Sequence, residues 1–415
     1  MKIDCKQKII FVTNYPIDKR DAKRFGFEIL HNAGFEITVW DVSEFFYYDI
    51  ESINIDYNES DYVLNKKFSS LEEIKLELEK IEEQDVLIIA GTTIGIRSIR
   101  TFRLNKLLSN SKGHYTAITW GDHPIHVIRN EMVKPAPFLK RLLQFMSRIF
   151  RKNYIASVVW RELNNSPFFK WAIRVVNLIQ PLEIVWLATR EERIPRISID
   201  RNTVIRFIHN LDYDIFFEMS KPSNYSSDQF SPVVILDSMG PLHPDFLVEA
   251  RESEIDLFTY SKMITNFIRK FQLDTGKKIV VAAHPRSDLD ISRRLYGEVE
   301  VFFHKTSELV SRSSAVISTD GSTAISFAVM WRKPLIILNS SLFDSQSKEF
   351  NKLFSCLLAA TEIDLDSDYS IPKIIEIDNY LYEQYEHSYI KKPGTPNNLF
   401  WKVVVEDIKS GLRGL

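Results

Sequence analysis

Apolar residues in this chain gather in short continuous runs, and amphipathic stretches separate them. The first run, Ile9–Thr13 (IIFVT), gives way to Asn14, Tyr15 and Pro16. A helical pattern follows from about Asp21 to Ala33 and stops at Gly34, a residue that closes helices well because it accepts left-handed backbone. Phe35–Val42 (FEITVWDV), Asp85–Ala90 (DVLIIA, before Gly91) and His114–Trp120 (HYTAITW, before Gly121) read as further strands. Strand, helix, strand order with near-continuous apolar strands predicts a parallel sheet covered on both faces.

The same rhythm restarts in the second half. Pro232–Leu236 (PVVIL), Lys278–Ala283 (KIVVAA), Ala315–Ser318 (AVIS) and Pro334–Leu338 (PLIIL) are the strand-like runs. Helices are predicted over Ile255–Phe271 and from about Ser322 to Trp331. The irregular MSKPSNYSSDQFSP stretch near residues 215–231 reads as a linker, and PGTP at Pro393–Pro396 breaks the chain before a last helix, Leu399–Leu412. The expected organisation is an N-terminal domain over 1–220, a C-terminal domain over 221–392, and a terminal segment over 393–415 that folds back on the first domain. A chain of 415 residues suits two cores of about 200 residues each.

Composition narrows the function classes. Hydrophobic residues at 45% and charged residues at 26% mark an ordinary globular chain. A formal net charge of -2 argues against a nucleic-acid partner, which calls for a strong basic excess. Cys5 and Cys356 are too far apart in sequence to suggest a disulfide framework or a zinc site, and they fit a reducing cytoplasm. No secretory leader and no membrane-spanning run is expected. One segment stands out: Lys134–Arg161 carries seven Lys or Arg and no acid. Phe138, Leu142, Phe145, Met146, Ile149 and Phe150 share a helical face there. This pattern fits a helix lying on an anionic membrane surface at the inner face of the plasma membrane, or a domain helix with a solvated basic face.

Ligands of open parallel sheets bind beyond the carboxyl ends of the strands, so the residues after each apolar run are the candidates. In the second half these are Asp237 with Gly240 and His243, then His284-Pro285-Arg286, then Ser318 through Thr323. A helix beginning at Ser322 would bring backbone N–H groups and dipole to an anion; plain capping by Ser322 is the alternative. His284 can donate to a phosphate oxygen and Arg286 can pair with one, while Asp237 can orient a ribose or a donor sugar. In the first half, Asp122 and His123 after the fourth strand, and Asp18 with its neighbour Asp21 after the first, are candidate general bases for a hydroxyl proton. GxGxxG after the first strand, GxxxxGK[ST], HExxH and paired CxxC are all missing, which disfavours dinucleotide, P-loop and zinc chemistry.

SAVISTDGSTAISFAVMWRKPLIIL resembles the donor-binding half of GT-B glycosyltransferases, in which a strand meets a Ser/Thr-Gly loop, a small-residue helix and a "KP" strand. AAHPRSD together with STDGSTA is similar to the HP and Ser/Thr motifs of bacterial sialyltransferases, which use CMP-activated acid sugars. The resemblance covers about residues 232–340. It implies an α/β chain of two Rossmann-like domains facing a cleft, the GT-B architecture. It also implies nucleotide contacts from His284, Pro285, Arg286, Ser318, Thr319, Gly321, Ser322 and Thr323, with Asp237, Gly240 and His243 near the ribose or donor sugar. The sialyltransferase acid-acid-Gly base motif has no counterpart before residue 200. Asp212-Tyr-Asp214 matches the DxD metal motif of the other glycosyltransferase fold, but only as a three-letter match inside an aromatic run. The expected activity is metal-independent glycosyl transfer with no cofactor. The donor would be a CMP-linked nonulosonic or Kdo-like acid sugar, with UDP, GDP or dTDP sugars as alternatives. The acceptor would be an oligosaccharide or lipid-linked surface glycan. A nucleotide-sugar epimerase on the same fold and a non-catalytic partner in glycan assembly are the rival readings.

Overall fold

The computed structural model describes residues 6–17, 19–46, 62–90, 99–119, 121, 179–188, 199–221, 231–243, 253–319, 322–372 and 375–412. The chain forms two compact units. The first comprises Met1–Trp120, Lys134–His209 and Gly394–Leu415, and the second Gly121–Val133 and Asn210–Pro393.

The first unit holds a sheet of β1 (Lys8–Thr13), β2 (Glu36–Asp41), β3 (Val63–Lys67), β4 (Val86–Ala90), β5 (His114–Thr119), β6 (Ile184–Leu187) and β7 (Val204–Phe207). Their order is β3-β2-β1-β4-β5-β6-β7 and every neighbouring pair is parallel. The second unit holds β8 (Val233–Leu236), β9 (Ile279–Ala282), β10 (Val301–Phe302), β11 (Ala315–Ser318), β12 (Leu335–Asn339) and β13 (Thr361–Asp364). Its order is β10-β9-β8-β11-β12-β13, again all parallel. Both are α/β units of the doubly wound, Rossmann-like kind, in which the strand order reverses beside the first strand. That reversal falls between β1 and β4 in one sheet and between β8 and β11 in the other.

Alternation along the central strands sorts the second core into two layers. Val234, Leu236, Val280 and Val316 pack on one face with Ile325, Phe350 and Phe354. Val233, Ile235, Val281 and Ile317 pack on the other with Ile264, Phe267 and Phe271 of the helix Leu257–Thr275. Because side chains of a strand point alternately to opposite faces, covering both faces demands the unbroken apolar runs seen in the sequence.

Several elements differ from the sequence expectation. The stretch 21–33 is two short helices, Lys19–Arg24 and Phe27–Asn32, interrupted at Gly26. Gly26 has φ +60, and a Cβ there would lie 2.2 Å from Cγ of Trp401. The backbone must turn left-handed at the point where an indole from the C-terminal helix Phe400–Lys409 takes the space. Trp401 also donates through Nε1 to the carbonyl of Arg24 at 2.6 Å. Asp407 on the same helix is 3% exposed and accepts from Trp186 Nε1 at 3.0 Å and Arg206 Nε at 3.3 Å. The acidic triplet Asp212-Tyr-Asp214 lies in the first turn of the helix Leu211–Met219, capped by Asn210. Tyr213 of that helix is buried in the second unit's core, so residues 215–219, expected in the linker, belong to a packed helix. Among the described residues no group of three His, Cys, Asp or Glu stands together as a metal-binding cluster, and no helix is long and apolar enough to cross a membrane.

Candidate functional site

The reversal point of the second sheet carries the densest set of polar groups anticipated from the sequence. Register is the reason they meet. Leu236, the last residue of β8, pairs with Ala282 at the end of β9 and with Ser318 at the end of β11. Three strands therefore stop at one level, and the loops after them leave the sheet side by side. Asp237, His284 and Thr319 open the polar part of those loops.

Hydrogen bonds tie the loops together. Asp237 is 3% exposed. Its Oδ2 accepts the backbone N–H of His284 at 2.9 Å. Its Oδ1 accepts the N–H of Met239 and the hydroxyl of Tyr296, both at 2.7 Å. Burial, and next the Asp237 charge, pushes the Tyr296 phenol well above its ordinary value, so Tyr296 stays a donor. Ser238 Oγ lies 3.0 Å from Thr319 Oγ1, a hydroxyl pair that joins the β8 and β11 loops across the reversal point. Tyr260 donates to the same Thr319 hydroxyl at 3.3 Å.

These ties divide the anticipated residues into two groups. Asp237, Ser318 and Thr319 are buried. Asp237 accepts protein donors on both oxygens, and so clamps the loops after β8 and β9 together. Thr319 is likewise an internal hub. Gly240 has a structural reason too: it has φ +44, and a Cβ would lie 2.6 Å from the Tyr260 ring. Met239, beside it, holds φ 59, a strained setting for a residue with a side chain. The accessible group consists of His243, His284, Pro285, Arg286, Ser322 and Thr323. The rings of His243 and His284 meet edge to face with centroids 5.2 Å apart. Nδ1 of His284 accepts the N–H of Arg286 at 3.2 Å. In the neutral ring this puts the proton on Nε2 and makes that atom the donor.

The helix after β11 begins later than the sequence suggests. It spans Ile325–Met330. Ser322 Oγ accepts the N–H of Ala324 at 3.2 Å, and the Ser322 carbonyl accepts from Ile325 at 3.1 Å. Ser322 thus caps a turn, and six residues of helix carry little dipole. Gly321, the candidate bases Asp18, Asp122 and His123, and the basic segment 134–161 lie outside the described residues. Of the first unit's candidates, Asp21 is buried on the helix Lys19–Arg24, with Oδ1 4.0 Å from Arg24.

Sequence inspection missed Ser238, Tyr260 and Tyr296. Ser238 had a signal, since it follows Asp237 directly; the tyrosines lie on helices whose pattern looked purely structural.

No protein-family model and no curated protein matches the chain. Solved structures overlay on it over nearly its full length at low identity. The calicheamicin glycosyltransferase aligns at 12% identity and TM-score 0.40, covering 98% of this chain and 93% of its own. MurG of Acinetobacter baumannii aligns at 8% identity and TM-score 0.40, covering 98% and 99%. A ugt transferase of Siraitia grosvenorii in complex with UDP aligns at 11% identity and TM-score 0.39, covering 98% and 94%.

Proposed function

We propose that this chain is a nucleotide-sugar-dependent glycosyltransferase whose second unit binds the nucleotide outside the ends of β8, β9 and β11. The observation that carries this reading is the shared register of Leu236, Ala282 and Ser318, which delivers three polar loops to the reversal point of a doubly wound sheet. Crevices of that kind bind nucleotides because strand ends and loop N–H groups converge there. Arg286 and the Nε2–H of His284 supply positive charge and a donor for a phosphate.

In the reaction, an acceptor hydroxyl attacks the anomeric carbon of the donor. The bond from that carbon to the phosphate oxygen breaks, and the leaving nucleotide keeps the electron pair. His284 and Arg286 stabilise the charge gathering on that phosphate, a role that requires no metal. A base takes the hydroxyl proton, with Asp122, His123 and Asp18 as its candidates. The HP and Ser/Thr pair makes a CMP-linked acid sugar the first donor to test. UDP, GDP and dTDP sugars follow, with an oligosaccharide or lipid-linked glycan as acceptor.

A thermal-shift screen of CMP, UDP, GDP and dTDP tests the reading. One nucleotide should raise the melting temperature selectively. Protection by none of them overturns the reading, and donor consumption without any acceptor would mark an epimerase in place of a transferase.

A further inference from the structure

Two histidines stand on neighbouring loops of the second unit, and one carboxylate places both. Oδ2 of Asp237 accepts the N–H of His284 at 2.9 Å, and Oδ1 accepts the N–H of Met239 at 2.7 Å. Met239 opens a tight turn: its φ is 59 and that of Gly240 is 44, so two successive residues are left-handed. The N–H of Leu242 donates back to the Met239 carbonyl at 2.9 Å, and that of His243 to the Gly240 carbonyl at 3.2 Å. Tyr260 packs so closely on Gly240 that a Cβ there would lie 2.6 Å from its ring. The turn has little freedom. It ends with the ring of His243 edge to face against that of His284, centroids 5.2 Å apart and planes at 69°. Left-handed backbone at a residue with a side chain is costly, and structures keep it where a local geometry has a use.

The His284 ring needs such a restraint. An imidazole turns easily about its Cβ–Cγ bond. A half-turn exchanges Nδ1 with Cδ2 and Nε2 with Cε1, and so puts a carbon in the place of the donor. The bond from the Arg286 N–H to Nδ1, 3.2 Å long, opposes that turn. It lies on an exposed loop, where water competes for both groups and the net gain is small. A second ring against the first adds a restraint that depends on orientation, as edge-to-face pairs do.

We infer that His243 is a positioning residue acting through His284: it holds the imidazole in the orientation that offers Nε2–H to the phosphate. The inference rests on the nucleotide-site reading above. It moves His243 from the ribose or donor sugar, where its sequence position put it, to the support of the phosphate donor.

The test compares wild type with His243→Ala, which removes the ring, and His243→Phe, which keeps an aromatic edge and has no donor. Affinity is measured by isothermal titration for whichever of CMP, UDP, GDP and dTDP wild type binds best, and for its parent nucleoside, which has no phosphate. His243→Ala should weaken nucleotide binding by about fivefold, the worth of an edge-to-face pair expressed as affinity, with nucleoside binding unchanged. His243→Phe should recover most of that loss. Nitrogen NMR of labelled histidine in the free protein reads the restraint itself, at a pH where the rings are neutral. With its signals assigned from His284→Ala, His284 should show a single Nε2–H tautomer in wild type and His243→Phe and a mixture in His243→Ala. A loss in His243→Phe as large as in His243→Ala overturns the inference and marks His243 as a direct ligand contact. Unchanged affinity in both variants, a mixed tautomer in wild type or an unchanged one in His243→Ala overturns it as well, with the nucleotide site left standing. Parallel losses for nucleotide and nucleoside overturn it too, since they report general loosening. Wild-type protein that binds none of the four nucleotides removes the site itself and the inference with it.

Discussion

The backbone N–H of His284 donates to Oδ2 of Asp237 at 2.9 Å, so the loop after β9 hangs from the residue that follows β8. This one bond joins two of the three loops at the reversal point of the second sheet. It also explains why an aspartate placed for ligand chemistry by its sequence position is buried instead.

Replacing Asp237 tests that clamp. Asp237→Ala leaves the Tyr296 hydroxyl and the N–H groups of Met239 and His284 without their acceptor. Loss of a buried, charged acceptor of this kind should destabilise the protein by about 2–4 kcal/mol. Urea unfolding followed by circular dichroism measures it. A change below about 0.5 kcal/mol, the range of ordinary surface substitutions, would show that the three bonds contribute nothing.

His284→Ala addresses the ligand directly. The side chain is only half-buried, so stability should change little. Loss of a hydrogen bond to a charged phosphate predicts a fall in nucleotide affinity of about tenfold or more, read by isothermal titration. Unchanged affinity removes His284 from the site.

Gly26 offers a test of the first unit. An alanine there faces both φ +60 and Trp401 Cγ at 2.2 Å. Strain and overpacking together should cost about 2–4 kcal/mol in urea unfolding. If Gly26→Ala is neutral, the indole does not occupy the place described.

Asp366 predicts a pH dependence. Its carboxylate accepts the backbone N–H of Ser341 and the hydroxyl of Ser340. The Ser341 backbone hydrogen bond chiefly holds it below the usual carboxylate range. A carboxyl whose folded value is depressed stabilises the protein above its unfolded value, and that contribution disappears as pH falls through the folded value. Asp366→Asn should lower Tm by about 1–2 °C at neutral pH, since the group is exposed. The gap from wild type should close as the solution is acidified through the carboxylate range. A gap that stays constant in scanning fluorimetry across that range excludes this linkage.

Much of the fold is legible in the sequence because central parallel strands must be apolar on both faces. IIFVT, DVLIIA, PVVIL and AVIS announce themselves for that reason. Edge strands carry no such signal: VLNKK of β3 and TEID of β13 have one neighbour each and tolerate polar residues. The break at Gly26 was hidden as well, since its cause is Trp401, far along the chain. For the candidate site, the strand ends marked loops that the register brings side by side, but position alone did not separate accessible His284 and Ser322 from buried Asp237 and Thr319.

Local patterning by itself determined that the chain holds two α/β units and the points where each apolar run turns polar, because burial of a strand constrains its own residues. Only the tertiary structure decided which polar groups face inward. Those choices depend on partners supplied by other elements, such as Ser238 and Thr319, which are 81 residues apart and meet at 3.0 Å. Hydrophobic periodicity is a short-range property of the chain, whereas the pairing of buried donors and acceptors exists only after the strands have come into register.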